Sequence, residues 1–320
     1  MSRVLIVPDL HISDVYSGKH KDYFGNCTEC LEKITDVIKT KGITHIYCLG
    51  DLVGIKEKNF KSRDALFYFL KVLQTWNTLV NGNVYSLVGN HDVGSAVTDF
   101  DFARSIGYIK VVPTLDIDCC RIHGLNYGEE RRVIDYADDK YNIALAHANL
   151  QVEGETNWFR AGQGIELSTL ENLHGVNIII SGHIHNPSVR MVTTSIRDTD
   201  ITLFYPGNMT RPSKDNTWDE SYGVIIDIQN DNVQLETLKY ELTPASELFA
   251  QTFDEVEDEE DVYTNVINIE ELTAVLDELQ QYNLCGDGDY RDQIMKLAGI
   301  DKEAADLALD YISKVEEEIK

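Results

Sequence analysis

No run of 18 apolar residues occurs anywhere in the 320-residue chain, which excludes a long apolar membrane-spanning helix. The opening Met1-Ser2-Arg3 passes directly into a short apolar segment, without the pattern of a secretory leader. Cysteine is scarce and irregularly placed, six residues in all. A disulfide framework is therefore not expected, and the thiols read as reduced. The largest deficit is in basic charge: 28 Lys and Arg stand against 54 Asp and Glu, a net charge of −26. Taken whole, that balance argues against a protein that grips nucleic acid through a broad basic surface. The expected setting is the cytoplasm, with no membrane partner.

What is present changes the meaning of that deficit. Residues 241–320 hold 23 acidic and 5 basic residues, so about two thirds of the excess sits in the last quarter of the chain. Within it, Phe253–Asp261 is an acidic run without apolar periodicity and reads as a solvated linker. The expected organisation is a domain over 1–245, an acidic linker over 246–265 and a small helical domain over 266–320. The last shows helical spacing at 269–282, 290–298 and 302–315 and is a candidate partner-binding element. With 43% hydrophobic residues, the first part has ample material for a core.

Arg3-Val-Leu-Ile-Val7 reads as a buried strand. Helical spacing follows at 28–41, a strand at 44–49, a helix at 64–80 and a strand at 83–88. This alternation predicts a layered α/β domain. Beyond residue 100, strands are expected at 120–126, 142–147, 176–181, 189–196, 201–205, 222–228 and 233–240, with one helix at 166–174. A mixed sheet, or two packed sheets with helices outside, fits that order.

The chemistry lies where the strands end. They run into Asp9-Leu10-His11, Gly50-Asp51, Gly89-Asn90-His91-Asp92, His147, Gly182-His183-Ile184-His185 and Pro206-Gly207-Asn208. Carboxyl ends of strands in an α/β sheet converge on one edge, where sites are built. So many converging carboxylates and imidazoles are costly to bury without cations. Mixed carboxylate and imidazole donors suit Mn²⁺, Fe, Zn²⁺ or Ni²⁺ better than Mg²⁺ or Ca²⁺, which prefer all-oxygen shells. In extended chain the members of Asp9-x-His11 and of His183-x-His185 point the same way, so each pair can face one cavity.

This ordered set resembles the calcineurin-like metallophosphoesterase family over roughly residues 1–240. The resemblance implies a four-layer α/β/β/α sandwich carrying two divalent metal ions, with Mn²⁺ expected and Fe, Zn²⁺ or Mg²⁺ as alternatives. It places Asp9, His11, Asp51 and His185 on one ion. Asp51, Asn90, His147 and His183 fall on the other, so that Asp51 bridges. His91 is implied as the catalytic histidine. Asp92 either orients it or caps the turn. Where the family often has a second Asp three residues after Gly-Asp, this chain has Gly54.

The segments Asp9-Leu10-His11-Ile12, Asn81–Asp92 and Tyr205–Pro212 are similar to those of SbcD-type DNA exonuclease subunits, phage versions above all. That similarity implies a DNA exo- or endonuclease in recombination and repair, with an SbcC-like SMC-type ATPase partner and host-cell cytoplasm as its place. A homodimer is a further expectation. Asn208 and Arg211 are candidate substrate contacts, with Lys214 beside them. Lys19, His20, Lys21, Lys56, Lys58, Lys61 and Arg63 are candidates for tracking a nucleic-acid backbone. Two rival readings are a phosphoesterase for small molecules or phosphoproteins, and a non-catalytic scaffold working through its acidic tail. Cys27-x-x-Cys30 and the remaining histidines, His45, His123 and His174, read as structural.

Overall fold

A computed structural model describes residues 1–14, 20–54, 60, 62–94, 97–151, 164–173, 175–194, 199–211, 218–229 and 232–249. The chain divides into a unit of Met1–Thr252 and one of Phe253–Lys320, and every described residue belongs to the first. The expected helical domain over 266–320, and the linker beyond residue 249, lie outside the described residues.

In chain order the elements are β1 (Ser2–Val7), α1 (Tyr23–Thr40), β2 (His45–Cys48), α2 (Arg63–Leu79), β3 (Val84–Ser86) and α3 (Asp99–Ser105). There follow β4 (Thr114–Ile117), β5 (Cys120–Leu125), β6 (Tyr141–His147), β7 (Leu150–Gln151), β8 (Ile165–Glu166) and β9 (Ile178–Gly182). The last are β10 (Ser188–Thr194), β11 (Thr199–Tyr205), β12 (Glu220–Gln229), β13 (Asn232–Glu241) and α4 (Ala245–Leu248). One sheet has the order β13-β12-β1-β2-β3 and the other β10-β11-β9-β6-β5-β4. Their centres are parallel: β1 with β2 and β2 with β3 in the first, β5, β6, β9 and β11 in the second.

The two-residue alternation of a strand explains how the layers stack. Along β1, Leu5 and Val7 face the helices, where Leu31, Ile34, Phe69 and Trp76 cover them. Val4 and Ile6 face the second sheet and meet Ile143, Leu145, Ile178 and Ile180. On the far side, Ala144, Ala146 and Ile179 pack under Leu167, Leu170 and Leu173. The fold is the mixed α/β sandwich that the sequence predicts, with two large sheets and helices. The helix expected at 166–174 forms instead as two 3₁₀ turns, Leu167–Thr169 and Glu171–Leu173. Its apolar residues recur every three positions, which suits the three-residue repeat of that helix.

Caps set the helix boundaries. Asp22 accepts from the Gly25 N–H and starts α1 ahead of its apolar stripe, and Ser62 does the same for α2. The short α3 was not read from the sequence. Thr98 and Asp101 form a capping box at its start, the signal that marks it.

Candidate metal centre

Asp9 follows β1 and is fully buried, paired by its backbone with Asn208 after β11. Its Oδ2 accepts from the His183 N–H at 2.7 Å, while Oδ1 has no hydrogen-bond partner. Asp51, after β2, divides its carboxylate in the same manner. Oδ1 accepts from the His91 N–H at 2.8 Å. Oδ2 lies 3.7 Å from His11 Nε2 and 3.3 Å from His147 Nε2. One oxygen of Asp51 therefore fixes the loop, and the other stands between two imidazoles.

The remaining donors fall on either side of that oxygen. On one side His11 Nε2 and His185 Nε2 face each other at 2.9 Å, with His185 Nε2 4.0 Å from Asp9 Oδ2. On the other, Asn90 Oδ1 lies 3.1 Å from His147 Nε2 and 2.8 Å from His183 Nδ1. His147 Nδ1 meets the Leu49 carbonyl at 2.8 Å. A carbonyl only accepts, so this contact puts a ring proton on Nδ1 and turns Nε2 inward. All seven residues expected as ligands are thus brought to one place.

The backbone is bent to achieve this. His11, Asp51 and His183 all sit at positive φ, at 48°, 46° and 77°, a region that costs non-glycine residues of order 1–3 kcal/mol each. Close packing requires glycine beside them. A Cβ on Gly89 would stand 2.1 Å from Asp51 Oδ1, and one on Gly182 would stand 2.3 Å from Asp9 Oδ1. The side-by-side orientation expected from extended geometry is therefore corrected: the pairs converge through left-handed residues.

Charge is concentrated here without relief from solvent. Burial pushes the Asp9 carboxyl up to about 8, with Asp51 adding to the effect and His147 opposing it. Burial opposes ionisation of Asp51 as well, but the hydrogen bond and charge of His147 outweigh it and hold that carboxyl below the usual range. Burial likewise works against His147, yet Asp9 and Asp51 hold it at about 9. His183 and His185 are both lowered to about 4, first by burial. An orphaned carboxylate oxygen, converging imidazole nitrogens and glycine cradles fit divalent cations, as does the mixed donor set.

Residues 2–187 match the calcineurin-like phosphoesterase family. The chain belongs to that family. Solved structures similar to this metallophosphoesterase include the crystal structure of TT1561 from Thermus thermophilus, 11% identical, with a TM-score of 0.40 and coverage of 73% of this chain and 98% of that one. Another is a 5'-nucleotidase precursor from the same organism, 11% identical, with a TM-score of 0.40 and coverage of 88% and 59%. Likenesses at that level say nothing about substrate. No curated protein matches the chain.

Among the other expected site residues, His91 lines the cleft beside the cluster, and its Nδ1 meets the Gly54 carbonyl at 3.1 Å. Asp92 does not orient it. Its two oxygens accept from the Val53 and Gly89 N–H groups, so the turn-capping alternative holds. Gly54 takes the orienting part with its backbone, and a Cβ there would lie 2.6 Å from the His11 carbonyl oxygen. Asn208 is fully buried beside Asp9, its Oδ1 accepting from Trp218 Nε1 at 3.4 Å.

Arg211 needs a correction. It is 1% exposed, with its guanidinium on Asp219 at 2.6 Å and on the Thr243 carbonyl at 2.7 Å. It ties the loop after β11 to the strand pair β12–β13 rather than holding phosphate. Cys27 and Cys30 donate to the Ser13 and Met209 carbonyls and tether α1 to ligand-bearing loops. Burial pushes the Cys27 thiol up to about 12. Lys19, Lys56, Lys58, Lys61, His174 and Lys214 lie outside the described residues.

The cleft itself, about 710 Å³, has walls that include Tyr127, Glu130, Asn149, Ile165 and Ile184. None of these was singled out from the sequence. Tyr127 follows β5 closely, and an aromatic at a strand end beside Gly128 is the signal that could have found it.

Proposed function

We propose that this metal-dependent phosphoesterase is a two-metal phosphodiesterase acting on DNA. The observation that carries the two-metal reading is Asp51 Oδ2, which lies between the His11 and His147 imidazoles while its sister oxygen holds the backbone. Asp9, His11, Asp51 and His185 hold one ion in this reading, and Asp51, Asn90, His147 and His183 the other. Mn²⁺ is the expected occupant, with Fe, Zn²⁺ or Mg²⁺ as alternatives. Two such cations supply charge for binding a phosphate and for activating a water molecule.

The rest of the chemistry is the chain's own. His91 is held through Nδ1 by the Gly54 carbonyl, which leaves Nε2 to give a proton to the departing oxygen. Glycines at 89 and 182 let the loops close on the carboxylates, and Gly50 leaves room for the His147 ring. Buried Asp92 keeps the His91 turn against the loop after β2.

DNA is supported by the segments Asn81–Asp92 and Tyr205–Pro212, similar to those of SbcD-type nucleases, and by a broad cleft rather than a closed pocket. On this reading an SbcC-like ATPase partner, a homodimer and a place in the host-cell cytoplasm are expected. The decisive experiment incubates the protein with single- and double-stranded DNA, a cyclic nucleotide and a phosphopeptide, each with Mn²⁺, Mg²⁺ or chelator. Mn²⁺-dependent cleavage of DNA is the expected result. Turnover of the small substrates with DNA left intact defeats the DNA reading and favours a small-molecule or phosphoprotein phosphoesterase.

A further inference from the structure

We propose that Tyr127 is a stacking platform for the nucleobase next to the scissile phosphate. The inference rests on the phosphodiesterase reading and names a feature of substrate that the metal cluster cannot recognise. The Tyr127 ring lies 5.8 Å from the His183 ring at a tilt of 38°, and 6.3 Å from the His147 ring at 73°. It thus leans on one donor group of the cluster while 49% of the residue stays exposed on the cleft wall.

The loop beneath it is pinned. The Tyr127 N–H donates to the Val88 carbonyl at 2.9 Å, and the Val88 N–H donates to Asn126 Oδ1 at 2.9 Å. Val88 directly precedes Gly89-Asn90-His91, so the aromatic ring and the catalytic turn are fixed to each other. Asn126 also donates from Nδ2 to Glu129 Oε2, and the Gly128 N–H donates to Glu130 Oε1. A loop held this firmly needs little reordering when a flat partner settles on the ring it carries.

The surrounding wall selects the kind of partner. Ile165 and Ile184 are apolar, and Glu130 brings negative charge to the same cleft. A polyanionic backbone is repelled there, whereas a neutral aromatic ring is not. A nucleotide satisfies both demands, because its sugar carries a charged phosphate at one end and a neutral flat base at the other. Base stacking on an aromatic side chain tolerates any sequence, since every base offers a π-face.

The test compares a thymidylate decamer with a decamer of abasic tetrahydrofuran residues carrying the same phosphates. The thermal midpoint and bound Mn²⁺ of Tyr127→Ala and Tyr127→Phe should match those of the parent protein. On the thymidylate decamer, Tyr127→Ala should raise KM about 10-fold, within the range that loss of a base–aromatic stack produces, with kcat changed far less. Tyr127→Phe should behave as the parent, because stacking uses the ring face and not the hydroxyl. The parent should show a similar rise in KM on the abasic decamer, where Tyr127→Ala costs nothing further.

Equal losses for Tyr127→Ala on both decamers, or no loss on either, overturn the platform. Should the parent leave the thymidylate decamer intact but hydrolyse 3′,5′-cyclic AMP, DNA fails as substrate. The platform then requires the same KM shift on cyclic AMP, with none on base-free ethylene phosphate.

Discussion

Val4 and Ile6 within β1, and Asp9 and His11 just beyond it, are equally shut off from water, yet the chain treats them in opposite ways. Between the sheets, Val4 and Ile6 find everything they need in Ile143, Leu145, Ile178 and Ile180. At the strand ends, Asp9 keeps an oxygen without a partner, and two imidazole nitrogens meet at 2.9 Å. The first region is complete as a product of the sequence alone. The second is complete only when positive charge arrives from outside, because buried carboxylates without compensation are expensive. One set of strands thus builds both a self-sufficient core and an edge that is buried but unfinished.

The harshest way to break that contrast is to withhold the metal. Chelation should abolish hydrolysis, and Mn²⁺ should restore it. The same addition should raise the thermal midpoint, since a ligand at a hundred times its Kd stabilises by about 2.7 kcal/mol. Calorimetry with and without Mn²⁺ reads this directly. An unchanged midpoint would mean that the edge needs no cation and that the two regions differ less than their polarity suggests. Next in size is His91→Asn, which leaves the donor set intact and removes the proposed proton donor. Turnover should fall by about 10²–10⁴ while bound Mn²⁺ and the thermal midpoint stay put. A variant as fast as its parent would remove His91 from the chemistry.

The two regions were also unequally legible in the sequence. Periodicity found β1, β2, β6 and β9, because a sheet buried on both faces leaves continuous apolar runs such as Val4–Val7 and Ile143–Ala146. The strand-end segments then contain all seven residues that the structure brings together. The sequence is silent where backbone atoms do the work. The Gly54 carbonyl orients His91, and no side-chain pattern announces a carbonyl. Asp92 looked like the orienting group because it is adjacent in sequence, but its oxygens serve the Val53 and Gly89 amides. Arg211 looked like a phosphate ligand because it follows a site segment, yet Asp219 and Thr243 hold it in a buried position. Long-range partners of this kind depend on the packed loops and not on local spacing.

The core half of the comparison predicts a different signature. Leu145→Ala empties a buried position between the sheets and should cost about 2–5 kcal/mol of stability, read as a lower denaturant midpoint. The folded fraction should retain its kcat, because Leu145 packs among the apolar side chains between the sheets. A large loss of kcat at full folding would show that strand packing and strand-end geometry are coupled.

The smallest expected effect comes from outside both regions. Asp116 on β4 accepts from Arg121 at 2.8 Å and from Lys140 at 2.9 Å, with 43% of its side chain exposed. Those hydrogen bonds and charges lower its carboxyl to about 2. A carboxyl held below its unfolded value contributes stability that is fully present above that unfolded value, near 4. The contribution fades as pH falls through about 2. Solvent screening limits the whole contribution to at most about 1 kcal/mol. Asp116→Asn should therefore lower stability at pH 7 by no more than that, and flatten the acid limb of the stability curve slightly, with activity unchanged. A larger loss would mean that the edge strand β4 depends on this charge triad to stay on the sheet. Polar groups away from the strand ends would then be contributing to the fold.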